Sequence, residues 1–142
     1  MIASNDIKTI LLNAVKADTV LKLIPEIKKD KHKPVTETTV KERIVVVTNA
    51  TDSSDWQKTY ARVLIYVPDV VWAGEGYKAP NTARLTELER VCVTIWKNRT
   101  FTTLNGDTVY YRIEDITQDD DPETWSHYLN VRLKFVNQNF KI

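Results

Sequence analysis

The chain has few of the residues on which disulfide frameworks, phosphate-binding loops and membrane spans depend. Cys92 is the only cysteine among 142 residues, which excludes an intramolecular disulfide and a cysteine-rich zinc site. Gly74 and Gly76 are two of only three glycines, and they follow a segment that Pro68 ends, which does not fit a phosphate or dinucleotide loop. The N-terminus lacks the basic start and apolar core of a signal peptide, and no apolar run approaches the roughly 20 residues of a membrane helix. We therefore expect a protein that is not exported by that route, does not span a membrane and is made in a cytoplasm.

Excess charge of either sign is also missing. The 20 basic residues nearly balance the 19 acidic residues, which leaves a formal charge of +1. This balance gives no overall attraction to nucleic acid or to a membrane surface. The length fits one domain over residues 1–142, large enough to bury about two-thirds of its unfolded surface without disulfides or metals.

The segment 56–69 has the clearest strand pattern in the chain. Four aliphatic side chains alternate along its second half and predict a face that enters the core: Ala61, Val63, Ile65 and Val67. The positions between them predict a mixed face of aromatic, basic and apolar side chains: Tyr60, Arg62, Leu64 and Tyr66. Pro68 cannot donate a ladder hydrogen bond, so it ends the strand. We take this strand as the centre of the sheet.

Two helices and further strands are predicted around it. An amphipathic helix near the N-terminus follows from the spacing of Ile7, Ile10, Leu11, Ala14 and Val15, and a stronger one over 82–97 is capped by Asn81. Runs rich in β-branched or alternating apolar residues predict strands over 40–48, 100–104, 108–116 and 125–135. The apolar patch over 20–24 leaves two alternatives open, a helical turn or the entry to an edge strand, and residues 28–39 are expected to form an exposed connection.

The connections complete the predicted fold. Polar residues 49–55 predict the projecting tip of a long hairpin, Asn105-Gly106 predicts a tight turn, and residues 119–123 predict a polar break. Links between strands are short enough for antiparallel pairing. The expected fold class is α+β, with a single antiparallel β-sheet, two α-helices packed on one face and a long projecting β-hairpin.

No set of residues predicts catalysis, a cofactor or a metal. His32 and His127 have no second histidine at ligand spacing, and Cys92 lies on the apolar stripe of a helix, where a thiol behaves as a small core group. The acidic run over 119–123 lacks the ligand pattern of a calcium loop, and clustered carboxylates at a bend are usually solvated. We predict a protein that is not an enzyme. The basic segment 28–33 is similarly expected to be a solvated loop, with nucleic-acid backbone contact as the alternative.

The sequence favours a protein–protein interface instead. The mixed strand face is rich in tyrosine and arginine, as interfaces often are, although a sheet face covered within a monomer would have a similar composition. The loop 69–80 is unusually apolar for a connection, and its Trp72 and Tyr77 favour the interface.

Taken in order, these pieces resemble the tail terminator and tail-completion proteins of long-tailed bacteriophages. The resemblance runs over nearly the whole chain: a short N-terminal helix with the Ile24-Pro25 bend, the stretch 41–47 before a long hairpin, the return strand ending at 65–69, and the helix 82–97 before a C-terminal antiparallel set. It implies a structural virion protein that forms a hexameric ring on the tail tube, ends tube growth and joins the tail to the neck.

The resemblance also implies which partners the protein meets. They are further copies of the chain, the tail tube protein and a neck or connector protein, with DNA only passing through the channel. The mixed strand face with Trp72 and Tyr77 would suit subunit contacts, and the hairpin tip with Asp52, Ser53 and Asp55 would suit docking to the tube or neck. Another head–tail connector subunit, or a small nucleic-acid-binding module that uses residues 28–33, is the alternative.

Overall fold

The structure, a computed structural model, describes residues 4–30, 34–52, 56–71, 78–104 and 106–138. In chain order its elements are α1 (Ser4–Ala17), a 3-10 turn (Leu21–Leu23), β1 (Glu26–Lys29), β2 (Arg43–Asp52), β3 (Trp56–Pro68), β4 (Val70–Val71), β5 (Lys78–Ala79), α2 (Thr82–Trp96), β6 (Thr100–Leu104), β7 (Asp107–Asp121), a second 3-10 turn (Pro122–Thr124) and β8 (Ser126–Gln138). The α+β class is confirmed.

Six strands form one curled sheet in the order β1-β2-β3-β8-β7-β6, and β4 and β5 form a separate two-stranded ribbon. The prediction of a single antiparallel sheet was wrong, because β1 runs parallel to β2 and makes the sheet mixed. Residues 30–42 supply the long crossover that a parallel neighbour requires. The remaining neighbours in the sheet are antiparallel.

The hairpin of β2 and β3 also differs from the prediction. Residues 49–55 were expected to form a loop, but the ladder resumes at Thr51, opposite Thr59, after a register shift that follows Thr48. Such a bulge lets a strand continue while its twist increases. The hairpin therefore extends the sheet and is not a simple hairpin with a loop from residue 49.

The core lies between the two helices and one face of the sheet. The predicted aliphatic face of β3 is confirmed, since its four side chains are at most 1% exposed, and β8 adds four buried residues opposite it: Leu129, Val131, Leu133 and Phe135. Helix α1 contributes Ile7, Leu11 and Val15 to the same core, and α2 contributes Leu85, Leu88, Cys92 and Trp96. Both helices thus cover one face of the sheet, as predicted.

Local hydrogen bonds define where the helices start and stop. The Asp18 carboxylate accepts from the N–H groups of Val20 and Leu21 at 2.9 and 2.8 Å, and so turns the chain after α1. The Asn81 side chain accepts from the N–H of Arg84 at 3.3 Å, which confirms the predicted cap of α2. Cys92 is fully buried, and burial raises the pKa of its thiol to about 12, in keeping with the packing role predicted for it.

The structure decides the open prediction for the segment after α1 and corrects the prediction for the segment before β8. The undecided patch 20–24 forms the 3-10 turn, which leads into the edge strand β1, and β1 extends to Lys29 where an exposed connection was expected from residue 28. The polar break over 119–123 was placed too early, since β7 continues to Asp121 and only the short turn after it separates β7 from β8. Trp125, predicted to begin the last strand, instead ends that turn with a φ of 50°.

Candidate assembly surface

The face of the sheet opposite the helices is the main candidate surface, and we call it the open face. Cross-strand pairs place the predicted mixed face of β3 beside β8: Tyr60 opposite Lys134, Arg62 opposite Arg132, Leu64 opposite Asn130 and Tyr66 opposite Tyr128. Strand alternation puts all of these side chains on the side away from the core. The structure therefore brings the four predicted interface residues of β3 together on one face that neither helix covers.

A packed aromatic cluster lies at one end of the open face. The rings of Tyr66 and Tyr128 lie 4.9 Å apart between centroids, and the guanidinium carbon of Arg43 lies 4.3 Å from the centre of the Tyr66 ring. Tyr66 is only 9% exposed, and burial, followed by the nearby Asp121 carboxylate, raises the pKa of its phenol. Tyr66 therefore stabilises the subunit itself, and little of its ring is accessible to a neighbour.

The middle of the open face is more accessible. Tyr60, Arg62 and Leu64 are all half-buried, and Lys134 Nζ lies 6.0 Å from the centre of the Tyr60 ring. The Nε atom of Arg62 is buried without a hydrogen-bond partner. Half-buried aromatic, basic and aliphatic side chains in one layer match the composition of protein interfaces.

The apolar segment after Pro68 begins at the edge of this face. Val70 and Val71 of β4 pair with Ala79 and Lys78 of β5, yet Val70 is 38% exposed and Val71 is 62% exposed. Adjacent exposed valines in a two-residue strand leave apolar surface uncovered. The predicted contact residues Trp72 and Tyr77 lie outside the described residues.

The hairpin tip is described only in part. Asp52 is the last residue of β2, and its backbone pairs with Lys58. Ser53 and Asp55 lie outside the described residues. The predicted docking role of this tip stays a prediction.

The side chains of His127 and Asp69 form a contact that fixes the start of the apolar segment, and we call this pair the histidine clasp. His127 Nδ1 lies 2.6 Å from Asp69 Oδ1, and because an ionised carboxylate only accepts, the imidazole N–H donates. The N–H of Asp69 also donates to the carbonyl of Trp125 at 2.9 Å. Sequence reasoning gave His127 no partner because Asp69 lies far from it along the chain.

The same clasp is the group of described residues most like a metal site. Asp69, Asp120 and His127 offer ligand atoms within 4.8 Å of one another. However, Asp69 approaches Nδ1, whereas Asp120 Oδ1 lies 3.6 Å from Nε2, on the other side of the ring. Because Asp69 is already hydrogen-bonded to Nδ1, a metal at Nε2 would find only Asp120 beside that nitrogen among the described residues, which is fewer ligands than protein metal sites use.

The basic segment 28–33 is partly incorporated in the fold. Lys28 and Lys29 belong to β1, and Lys29 Nζ donates to Thr9 Oγ1 at 2.9 Å. The neighbouring Asp30 carboxylate forms an ion pair with Lys8. Residues 31–33 lie outside the described part of the chain.

Sequence reasoning missed a second exposed group, at the far end of the open face. Phe101 of β6 and Tyr110 of β7 are cross-strand partners with ring centroids 6.2 Å apart, and both are exposed. Arg99 lies over the Tyr110 ring, and Arg112 is opposite Lys134. These residues come from three separate segments, so no single stretch of the sequence shows that they lie together.

Comparisons with known proteins support the fold alone. No family model matches the chain, and no curated protein matches it. A solved structure whose name carries no functional description matches over 96% of this chain and 93% of its own chain, with a TM-score of 0.53 and 16% sequence identity. At that identity the likeness shows a shared fold. Within the described ranges, neither helix is long and apolar enough to cross a membrane.

Proposed function

We propose that the protein is a structural virion subunit of a long-tailed bacteriophage, of the tail terminator type. Copies of the chain assemble as a hexameric ring on the end of the tail tube, stop tube growth and join the tail to the neck of the head. Its partners are further copies of itself, the tail tube protein and a neck or connector protein. DNA passes through the channel, and no catalytic step is involved.

The open face and the exposed valines beside it carry this proposal. In a ring, one patch of each subunit meets a different patch on its neighbour, so each subunit needs two complementary surfaces. The half-buried row of Tyr60, Arg62 and Leu64 supplies one such surface, and the exposed Val70–Val71 strand supplies another. Tyrosine and arginine in a partly desolvated layer are the residues that most often dominate interface energies.

The candidates for chemistry support a structural role as well. The Cys92 thiol is buried in the core with a pKa raised to about 12 by burial, so it holds its proton near neutral pH and cannot serve as a nucleophile there. His127 is held by Asp69, and this contact joins the end of β3 to the start of β8. Both side chains therefore have places in the fold.

The same surfaces would also fit another subunit of the head–tail connection. A neck subunit of similar size also forms rings with unlike patches in contact, so the geometry alone favours the class above the particular step. A module that binds nucleic acid through residues 28–33 has less support, because Lys29 already donates to Thr9.

The proposal is tested with tail tubes assembled from the tube protein of the same phage. The wild-type chain is mixed with these tubes, and electron microscopy records whether a ring appears at their ends. A Val71→Asp variant places a charge on a residue that is 62% exposed, so the monomer should still fold while ring formation is lost. A Leu23→Asp variant is the matched control, because Leu23 is 74% exposed in the turn after α1, away from the open face.

Rings on wild-type tubes, with loss only in Val71→Asp, would support both the function and the surface. If rings still form with Val71→Asp, the contact between subunits must lie elsewhere on the surface. Wild-type protein that binds neck protein but never a tube would favour the connector alternative. Failure to associate with tubes, neck protein or itself under any condition would overturn the proposal.

A further inference from the structure

The exposed aromatic pair at the far end of the open face points to a ligand. Phe101 is 68% exposed and Tyr110 is 38% exposed, and together they place two neighbouring rings on the surface of β6 and β7. Isolated apolar side chains on a surface are ordinary, but paired exposed rings give a flat stacking platform. Neither ring belongs to the buried core, so core packing gives no reason for an aromatic residue at either position.

Cations surround this pair. The Arg99 guanidinium lies 5.7 Å from the centre of the Tyr110 ring, and Arg112 follows Tyr110 on the same face of β7. Lys134 of β8 lies directly opposite Arg112. Arg99, Tyr110, Arg112 and Lys134, together with Tyr111 and Val136, line a shallow cavity of about 370 Å³. We call Arg99, Phe101, Tyr110, Arg112 and Lys134 the basic–aromatic patch.

The patch lacks the carboxylates that accompany cations elsewhere on the sheet. Among the described residues, none of Arg99, Arg112 and Lys134 forms an ion pair, whereas Arg132, two residues before Lys134, pairs with Asp115 at 3.1 Å. Like charges directly opposite each other across two strands are destabilising. An anion bound between Arg112 and Lys134 would convert that repulsion into attraction.

We propose that the basic–aromatic patch binds the phosphate backbone of a nucleic acid. Arg99, Arg112 and Lys134 contact phosphates, and arginine does so with two parallel hydrogen bonds. Phe101 and Tyr110 stack on an unpaired base where the bound strand is single. This inference does not depend on ring assembly, and it places the contact at a different site from the basic segment 28–33.

An acidic segment of a second copy is the competing occupant, and the structure favours it less. Two acidic side chains near the β7–β8 turn already have partners: Asp119 accepts from Thr117 at 3.2 Å, and Asp121 accepts from Thr124 at 2.8 Å. A carboxylate also offers no flat surface to Phe101. Phosphate and base together use both the cations and the rings of the patch.

The test measures fluorescence anisotropy with a labelled oligothymidylate of about 20 nucleotides and a duplex of equal length, from about 50 to 200 mM salt. A double variant, Arg112→Gln with Lys134→Gln, should weaken binding of both probes about tenfold or more at the low salt concentration, and should reduce the salt slope by between one and two. The matched control, Lys28→Gln with Lys41→Gln, removes two exposed charges elsewhere and should leave binding unchanged.

A second variant separates stacking from charge. Phe101→Ala should weaken binding of the single strand about tenfold, because base stacking is lost, and should leave duplex binding nearly unchanged. Thermal unfolding followed by circular dichroism verifies that each variant is folded. Phe101 is well exposed, so this variant keeps the test valid if the double variant does not fold.

Three results would overturn the proposal. The first is an absence of wild-type binding to either probe at the low salt concentration. The second is an equal loss in the patch variant and the lysine control, which would indicate general electrostatics. The third is wild-type self-association that the double variant abolishes while nucleic-acid binding stays unchanged, which would identify a second copy as the occupant. The first two results leave the proposal that the protein caps tail tubes unaffected, whereas the third would place a contact between ring subunits at the patch.

Discussion

Replacing Arg43 with methionine should leave the protein at least as stable, although Arg43 is among the most buried side chains. Arg43 is 1% exposed, and burial lowers the pKa of its guanidinium. Its Nη1 donates to the carbonyl of Lys41 at 3.3 Å, but Nε and Nη2 are buried without a hydrogen-bond partner. The side chain therefore combines a desolvated charge with incomplete hydrogen bonding.

The sizes of the opposing energy terms decide whether Arg43→Met raises or lowers the free energy of unfolding. Each unpartnered buried donor costs about 1–3 kcal/mol, and the hydrogen bond to Lys41 returns about 1 kcal/mol. The contact with the Tyr66 ring contributes at most about 2 kcal/mol. Attraction to Asp121 and Glu26 offsets part of the remaining cost. Methionine keeps a long, flexible side chain against Tyr66 without any donor to desolvate, so we expect a gain between about 0 and 3 kcal/mol.

Urea unfolding followed by tryptophan fluorescence measures the difference as a shift in midpoint at unchanged slope. Arg43→Ala is the control, because it removes the packing as well and should cost about 2 kcal/mol or more. A loss of about 1 kcal/mol or more in Arg43→Met would refute the reasoning, since it would mean that the guanidinium is satisfied and contributes as a charge.

Two other substitutions test parts of the fold. Asn81→Ala removes the cap of α2 and should lower the free energy of unfolding by about 1 kcal/mol, whereas Asn81→Asp should retain it; equal losses would contradict a capping role. For Cys92, burial raises the pKa of the thiol from 9.0 to about 12, so the unfolded chain loses its proton first as the pH rises. Stability should therefore fall by up to about 1.4 kcal/mol per pH unit above pH 9, and Cys92→Ala should remove that part of the slope in urea unfolding between about pH 8 and 10. Parallel slopes in the two proteins would exclude the thiol as the cause.

Most of the fold could be predicted because its patterns are local. The alternation along β3 separates a purely aliphatic face from a mixed one, and the structure buries Ala61 and Val63 completely while leaving Arg62 and Leu64 half-buried. Asn81 likewise marks the start of α2 with a side chain suited to the exposed N–H groups of a first turn. Each signal involves residues only a few positions apart.

The loop at 49–55 and the break at 119–123 were misplaced locally, and the other errors concern pairings between distant segments. The four residues of β1 carry no sign of whether they join β2 in parallel or antiparallel order, and only the crossover over 30–42 makes the parallel order possible. The clasp of His127 with Asp69 joins residues 58 positions apart, and the patch around Phe101 adds Lys134 of β8 to the β6–β7 hairpin. Composition shows that tyrosine and arginine are present, but it does not show which strands bring them together.

The positions of the exposed valines and of the basic–aromatic patch imply that these two sites can be occupied at once. The basic–aromatic patch adjoins Tyr60, near the start of β3, whereas the exposed valines follow Pro68 at its end. Eight residues of strand separate these points by about 26 Å, at roughly 3.3 Å per residue. The buried Arg43–Tyr66 cluster lies between Leu64 and Pro68 and makes that part of the open face a poor place for either partner. A subunit whose ring contacts centre on the valines would therefore leave its patch free for a nucleic acid, whereas a ring contact that reaches Tyr60 would meet Lys134 and compete with it.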